Sequence, residues 1–174
     1  MLAGSGTADY SRLTPELRNH LIEVLEALSP RYDLILLDTG AGISDIVLFT
    51  VSLAHEVMVV ATLEPTSLTD AYAAIKILAT QQQRQNIRLL VNQTARPGDG
   101  QAITGQLQQV LNRFVTTHSG QPLRLIHMGD IPVDQSVKDA VMRRQLLVKT
   151  MPGSAAALAV SQLAHRLKSV LVRD

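Results

Sequence analysis

Four short apolar runs, each separated from the next by a segment of helical period, constrain this chain more than any other feature. They are Asp33–Asp38 (DLILLD), Glu56–Leu63 (EVMVVATL), Asn86–Thr94 (NIRLLVNQT) and Pro122–Pro132 (PLRLIHMGDIP). Continuous runs of this length read as strands buried on both faces, the pattern of parallel sheets covered by helices. Helical spacing covers Leu13–Leu28, Ile43–Ala54, Ser67–Gln83 and Ala102–Thr117, then Asp134–Arg144 and Gly153–Leu171 after the last run. Thr14 before Pro15 is the expected N-cap of the first helix and Ser154 that of the last. Ala95–Gly100 (ARPGDG) is a loop by its Gly and Pro. The alternation predicts a single α/β domain spanning 1–174, with a mostly parallel sheet, helices on both faces and right-handed crossovers. A chain of 174 residues suits one such core.

Composition narrows the function classes. The net charge is +1, so no basic excess marks a nucleic-acid partner. Aromatics are only 3%, too few for base-stacking platforms, so the core rests on Leu, Ile, Val and Ala. The absence of cysteine excludes disulfides and thiolate metal sites. The first residues carry no basic n-region or apolar h-region, and no apolar run reaches the length of a membrane span. A cytoplasmic location is the expectation.

Parallel sheets bind ligands at the carboxyl ends of their strands, where Asp38, Glu64, Asn92 and the Gly129–Pro132 turn fall. Asp38 is open to two readings. It is either a loop acid, or a Walker-B-like carboxylate that holds Mg²⁺ through water or orients the attacking water. Gly40 and Gly42 favour the second, because they let the backbone approach a γ-phosphate, and Ala41 adds no bulk. Asn92 either starts a loop or offers its paired donor and acceptor to an adenine edge. Gly129–Val137 (GDIPVDQSV) is either a turn with Asp134 or Ser136 as helix cap, or the backbone wall of an adenine pocket. His20, His55, His118, His127 and His165 show no metal-ligand spacing; His127, inside a strand, reads as a satisfied core residue. No G-x-S-x-G signals nucleophilic catalysis. Arg143 and Arg144 read as a solvated helix end.

Taken together, these residues resemble the MinD/ParA class of P-loop ATPases, within the CobQ/CobB/MinD/ParA nucleotide-binding superfamily. LLDTGAGIS (36–44) looks like the Walker-B and switch II segment of that class, LLVNQT (89–94) like its adenine-reading strand, and GDIPVDQSVKDA (129–140) like its adenine-loop motif. DTGAGISDIVL (38–48) and EPTSLTDAYAAIK (64–76) most resemble the flagellar-number regulators, the FlhG/FleN branch. LAGSGTADYSRLTPE (2–16) is similar to the stretch leading to that branch's switch II helix. The resemblance implies a dimerising ATPase with ATP and Mg²⁺ as cofactors. It makes Asp38 the catalytic and indirect magnesium-binding residue and Thr39, Gly40, Ala41 and Gly42 the switch II. Asn92, Ile131, Pro132, Val133 and Asp134 become the adenine side, and Glu64, Thr66 and Asp70 the dimer or ribose side. It further implies a flagellar GTPase of the signal-recognition class and a transcriptional regulator as partners.

One element of the class is missing. No K-G-G-x-G-K-S/T phosphate loop occurs in the sequence, and its Gly-rich stretches LAGSGTADY (2–10) and ARPGDGQ (95–101) contain no lysine. The class would place the first strand, this loop and the first-switch aspartate ahead of Met1. Phosphoryl transfer depends on the amides and lysines of the loop. The expectation is a fold missing its first strand and P-loop, and little or no nucleotide binding or ATPase activity by this chain. The missing strand leaves either a gap that the sheet must close or exposed strand edges, which favour a dimer or swapped assembly. The class often docks on membranes through a basic C-terminal helix, but LAHRLKSVLVRD (163–174) has Arg166, Lys168 and Arg173 without an aromatic anchor, so no membrane docking is expected of it. Two other functions remain open: a non-enzymatic interaction scaffold built on the same fold, and a relative of the cobyrinate amidotransferases, although no cysteine is present to serve as their nucleophile.

Overall fold

A computed structural model describes residues 14–115 and 122–171. Most of the 2–16 resemblance, His118, the end of the helix expected to reach Thr117, and Arg173 lie outside them. The chain forms two compact units, Met1–His55 and Glu56–Asp174.

The first unit holds two helices, α1 (Pro15–Leu28) and α2 (Asp45–Ser52). Thr14 caps α1 as expected, its hydroxyl accepting from the Leu17 amide at 3.3 Å, and Pro15 takes the first helical position. The two helices meet where the Arg18 guanidinium lies 5.3 Å from the centre of the Phe49 ring. Neither helix contains a buried residue. Between them, the expected strand Asp33–Asp38 does not form. The segment carries no strand pairing among the described residues, and Leu34 and Leu36 are exposed. The physical reason is that a parallel strand exists only through the ladders it shares with its neighbours. Aliphatic composition supplies burial energy but no hydrogen-bond partners.

The second unit contains the core. Three parallel strands, β1 (Met58–Ala61), β2 (Asn86–Thr94) and β3 (Arg124–Pro132), lie in the order β1-β2-β3. The crossover helices α3 (Pro65–Gln81) and α4 (Asp99–Phe114) touch each other, as two crossovers of the same hand between successive neighbours place them. After β3 come α5 (Gln135–Met142), the single turn α6 (Leu147–Thr150), which the sequence reading passed over, and α7 (Ala155–Leu171), which packs on β3. Ser154 caps α7 as expected, accepting from the Ala157 amide at 3.3 Å.

β2 is the middle strand, and Ile87 to Val91 are buried without alternation, so both of its faces are covered. Ile75 of α3 and Leu111 of α4 are, with Ile87, Leu89 and Val91, the largest fully buried side chains. Arg88 sits in this run, 5% exposed, its Nη2 3.2 Å from the Glu56 carboxylate and its Nε without a partner. The outer edge of β3 is occupied by side chains. The Gln108 amide of α4 donates to the Leu123 carbonyl at 2.8 Å and accepts from the Leu125 amide at 2.7 Å, as a neighbouring strand would. Further along, the register shifts between Leu89 and Leu90, leaving Met128 as the extra residue of a bulge. Arg166 Nη1 donates to the Met128 carbonyl at 2.8 Å.

Candidate functional site

The carboxyl ends of β2 and β3 bring together the residues expected to form an adenine side. Asn92 and Ile131 are register partners. Just beyond them Gln93 adopts a left-handed conformation, φ 59°, and the ladder shifts before Thr94 meets Pro132. This kink ends β2 and turns its last residue inward. Thr94 is buried, its carbonyl accepts from the Val133 amide at 3.0 Å, and its hydroxyl lies 3.5 Å from the Ile131 carbonyl. Asn92 is half-buried, and its Oδ1 accepts from the Gln93 amide at 2.9 Å. That leaves its NH₂ as the group able to face a ligand. Ile131 and Pro132 are half-buried and Val133 is exposed.

Asp134 performs the capping role that the sequence left open between it and Ser136. Its Oδ1 accepts from the Ser136 amide at 2.8 Å, fixing the start of α5. Its Oδ2 accepts from the Ala156 amide at 3.0 Å, in the first turn of α7. The Ala156 amide first, and Ser136 second, hold the Asp134 carboxyl below its ordinary value, because both bonds favour the ionised form. Two helix N-termini therefore converge on one carboxylate beside the strand ends.

Glu64, Thr66 and Asp70 lie at the carboxyl end of β1. Glu64 occupies the N-cap position of α3 without a side-chain bond there, and all three are exposed. The turn before α3 is fixed by Ser67, whose hydroxyl accepts from the Thr62 amide at 2.9 Å. Asp38, Thr39, Gly40, Ala41 and Gly42 belong to the first unit, are exposed, and lead into α2. Gly42 has φ 97°, a conformation that glycine adopts freely and other residues resist. No group of three or more His, Cys, Asp or Glu that could hold a metal occurs among the described residues. No helix is long and apolar enough to cross a membrane among them.

Sequence reasoning missed Thr94, Gln93 and the second partner of Asp134. The first two have no signal beyond a polar residue at a strand end. The third joins positions 22 residues apart, which local reading cannot see. His127 is satisfied, as expected, by a 2.8 Å bond from Nε2 to Asp130 Oδ1.

No family model matches the chain. It is 35% identical over 167 residues to the antiactivator FleN of Pseudomonas aeruginosa, covering 96% of this chain and 58% of that protein. It is 30% identical over 146 residues to the flagellum site-determining protein YlxH of Helicobacter pylori, covering 84% of this chain and 47% of that one. The chain therefore spans about half the length of these relatives. Among solved structures, the MinD cell division protein of Aquifex aeolicus matches 90% of this chain and 61% of its own, with a TM-score of 0.67 and 24% identity. MinD of Pyrococcus horikoshii complexed with Mg-ADP matches 94% and 65%, with a TM-score of 0.64 and 20% identity. These structural likenesses establish the fold.

Proposed function

We propose that this chain, which has the fold of MinD and is similar to the antiactivator FleN, is the adenine-side and switch-bearing portion of an ATP-binding protein of the MinD/ParA class that sets flagellar number or placement. The observation that carries this reading is the similarity to FleN across 96% of the chain. In this reading the Asn92 NH₂ and the Ile131–Val133 backbone receive the adenine. The site of Asp134 beneath them is then architectural, because both carboxylate oxygens are engaged. Asp38 holds Mg²⁺ through water and Thr39 to Gly42 sense the γ-phosphate in the complete protein. Glu64, Thr66 and Asp70 face the ribose or a second subunit of a homodimer. The sequence contains no K-G-G-x-G-K-S/T, so the chain by itself binds nucleotide weakly and turns over no ATP. A flagellar GTPase and a transcriptional regulator are the partners proposed for it in the cytoplasm.

Two measurements test this. Titration of the chain with Mg-ATP by calorimetry is expected to show weak or no binding, and tight binding with turnover would overturn the inactive reading. Disruption of the gene is expected to change the number or position of flagella per cell by electron microscopy. An unchanged count and placement would refute the flagellar role and leave the interaction scaffold as the better account.

A further inference from the structure

A cavity of about 610 Å³ opens beside β3, between the first turn of α4 and the middle of α7. Asn92, Ile131, Val133 and Asp134 do not line it, although Leu90, Thr94, Gly129, Asp130 and Pro132, from the strand and the turn that carry the adenine side, do. Its volume lies within the range of small-molecule sites. The residues that line it include Arg96, Gln101, His127, Asp130, Gln162 and Arg166.

The polar groups of this cavity are unevenly engaged. The Asp130 carboxylate is hydrogen-bonded to His127 and presses on Gly100 in the first turn of α4, where a Cβ would collide with it. The missing side chain at Gly100 is what admits the carboxylate. Arg166 spends Nη1 on the Met128 carbonyl, which fixes the guanidinium at the cavity wall and leaves the rest of its fork for another acceptor. The Arg96 backbone amide donates to Asp99 at 2.9 Å, and Arg96 is among the residues that line the cavity. Gly129, with φ 142°, passes close under Arg166: a Cβ there would lie 3.4 Å from Nη1. A bulge, a glycine and a carbonyl thus pre-position Arg166, and Arg96, Gln101 and Gln162 are among the other residues that line the cavity.

We propose that this cavity is a second ligand site, taking a small molecule that bears a carboxylate or phosphate group, with the anionic group held between Arg96 and Arg166. Planar guanidinium forks match these groups in geometry as well as charge. Gln101 and Gln162 supply neutral donors beside them, and Leu90 and Leu163 supply an apolar wall.

The test is calorimetric titration of the full chain, in low salt without nucleotide, using inorganic pyrophosphate and citrate as probes. These carry the two anion chemistries but no adenine, so the outcome is independent of the adenine-side reading. Saturable one-to-one binding of at least one probe is expected, and the better probe identifies the anion class. Arg96→Ala and Arg166→Gln should each weaken binding by about tenfold or more, the loss of one charge-assisted hydrogen bond. Arg166→Lys should recover part of it, and Asn92→Ala should leave it unchanged. Amide chemical-shift changes should centre on residues 96–101 and 127–130. No saturable binding of either probe would overturn the proposal. So would binding that survives both arginine substitutions, or shifts centred on α3. Arg96 is in an exposed loop, so its substitution keeps the test valid if Arg166→Gln unfolds.

Discussion

Two runs of this chain share an aliphatic composition and have opposite fates. Leu34–Leu37 is four aliphatic residues without interruption, yet it is unpaired and Leu36 is 75% exposed. Ile87–Val91 contains an arginine, yet all five residues are buried in the middle of the sheet. Hydrophobicity alone would have ranked them the other way. The difference is that β2 has a ladder on each side and side chains buried on both faces. The energy of burying a side chain becomes available only where neighbours hold the backbone that carries it.

The largest expected effect sets the two runs against each other. Leu89→Ala should cost about 3 kcal/mol by urea unfolding, as a fully buried leucine usually does. Leu36→Ala should stay within about 0.5 kcal/mol. Equal costs would break the comparison. Next comes the charge inside the buried run. Glu56→Gln removes the partner of Arg88 and should cost about 1–2 kcal/mol, less than for a sealed pair because Glu56 is partly exposed. Adding Arg88→Leu should recover much of that loss, and failure to do so would mean that the arginine contributes more than its ion pair. A control without packing changes is Arg144, which holds φ 53° just beyond α5. Arg144→Gly should stabilise by about 0.5–1 kcal/mol, by relieving a left-handed backbone. The last effect is confined to acid. The lowered carboxyl of Asp134 stabilises the fold fully above its unfolded value of about 4, and this is lost as pH falls through the lower folded value. The Tm gap between the protein and its Asp134→Asn variant should therefore be flat near neutrality and shrink below about pH 4.

Local chemistry made much of this fold legible. Asn86–Thr94 was bounded correctly, because an unbroken apolar run ends there in polar residues, and Thr14–Pro15 and Ser154 marked their helices through capping groups that act within one turn. Asp33–Asp38 was misread for the complementary reason: pairing is not encoded in the run that would be paired. The turn α6 went unseen because a single helical turn has no period to detect. At the site, Asn92 and Ile131 could be placed together from two strand ends and the parallel rule. The Asp134–Ala156 bond and the Arg166–Met128 bond could not, since each spans a connection whose path sequence leaves free.

The side chains along β3 give the sheet a direction of growth. Gln108 and Arg166 stopper its outer rim at two points, and Pro132 closes the far end with a residue that has no amide hydrogen to offer. At the opposite rim β1 is short and carries an exposed Val60, with no such plug among the described residues. The β1 rim is therefore the more open of the two, and the β3 rim is like a zip with its stop already sewn.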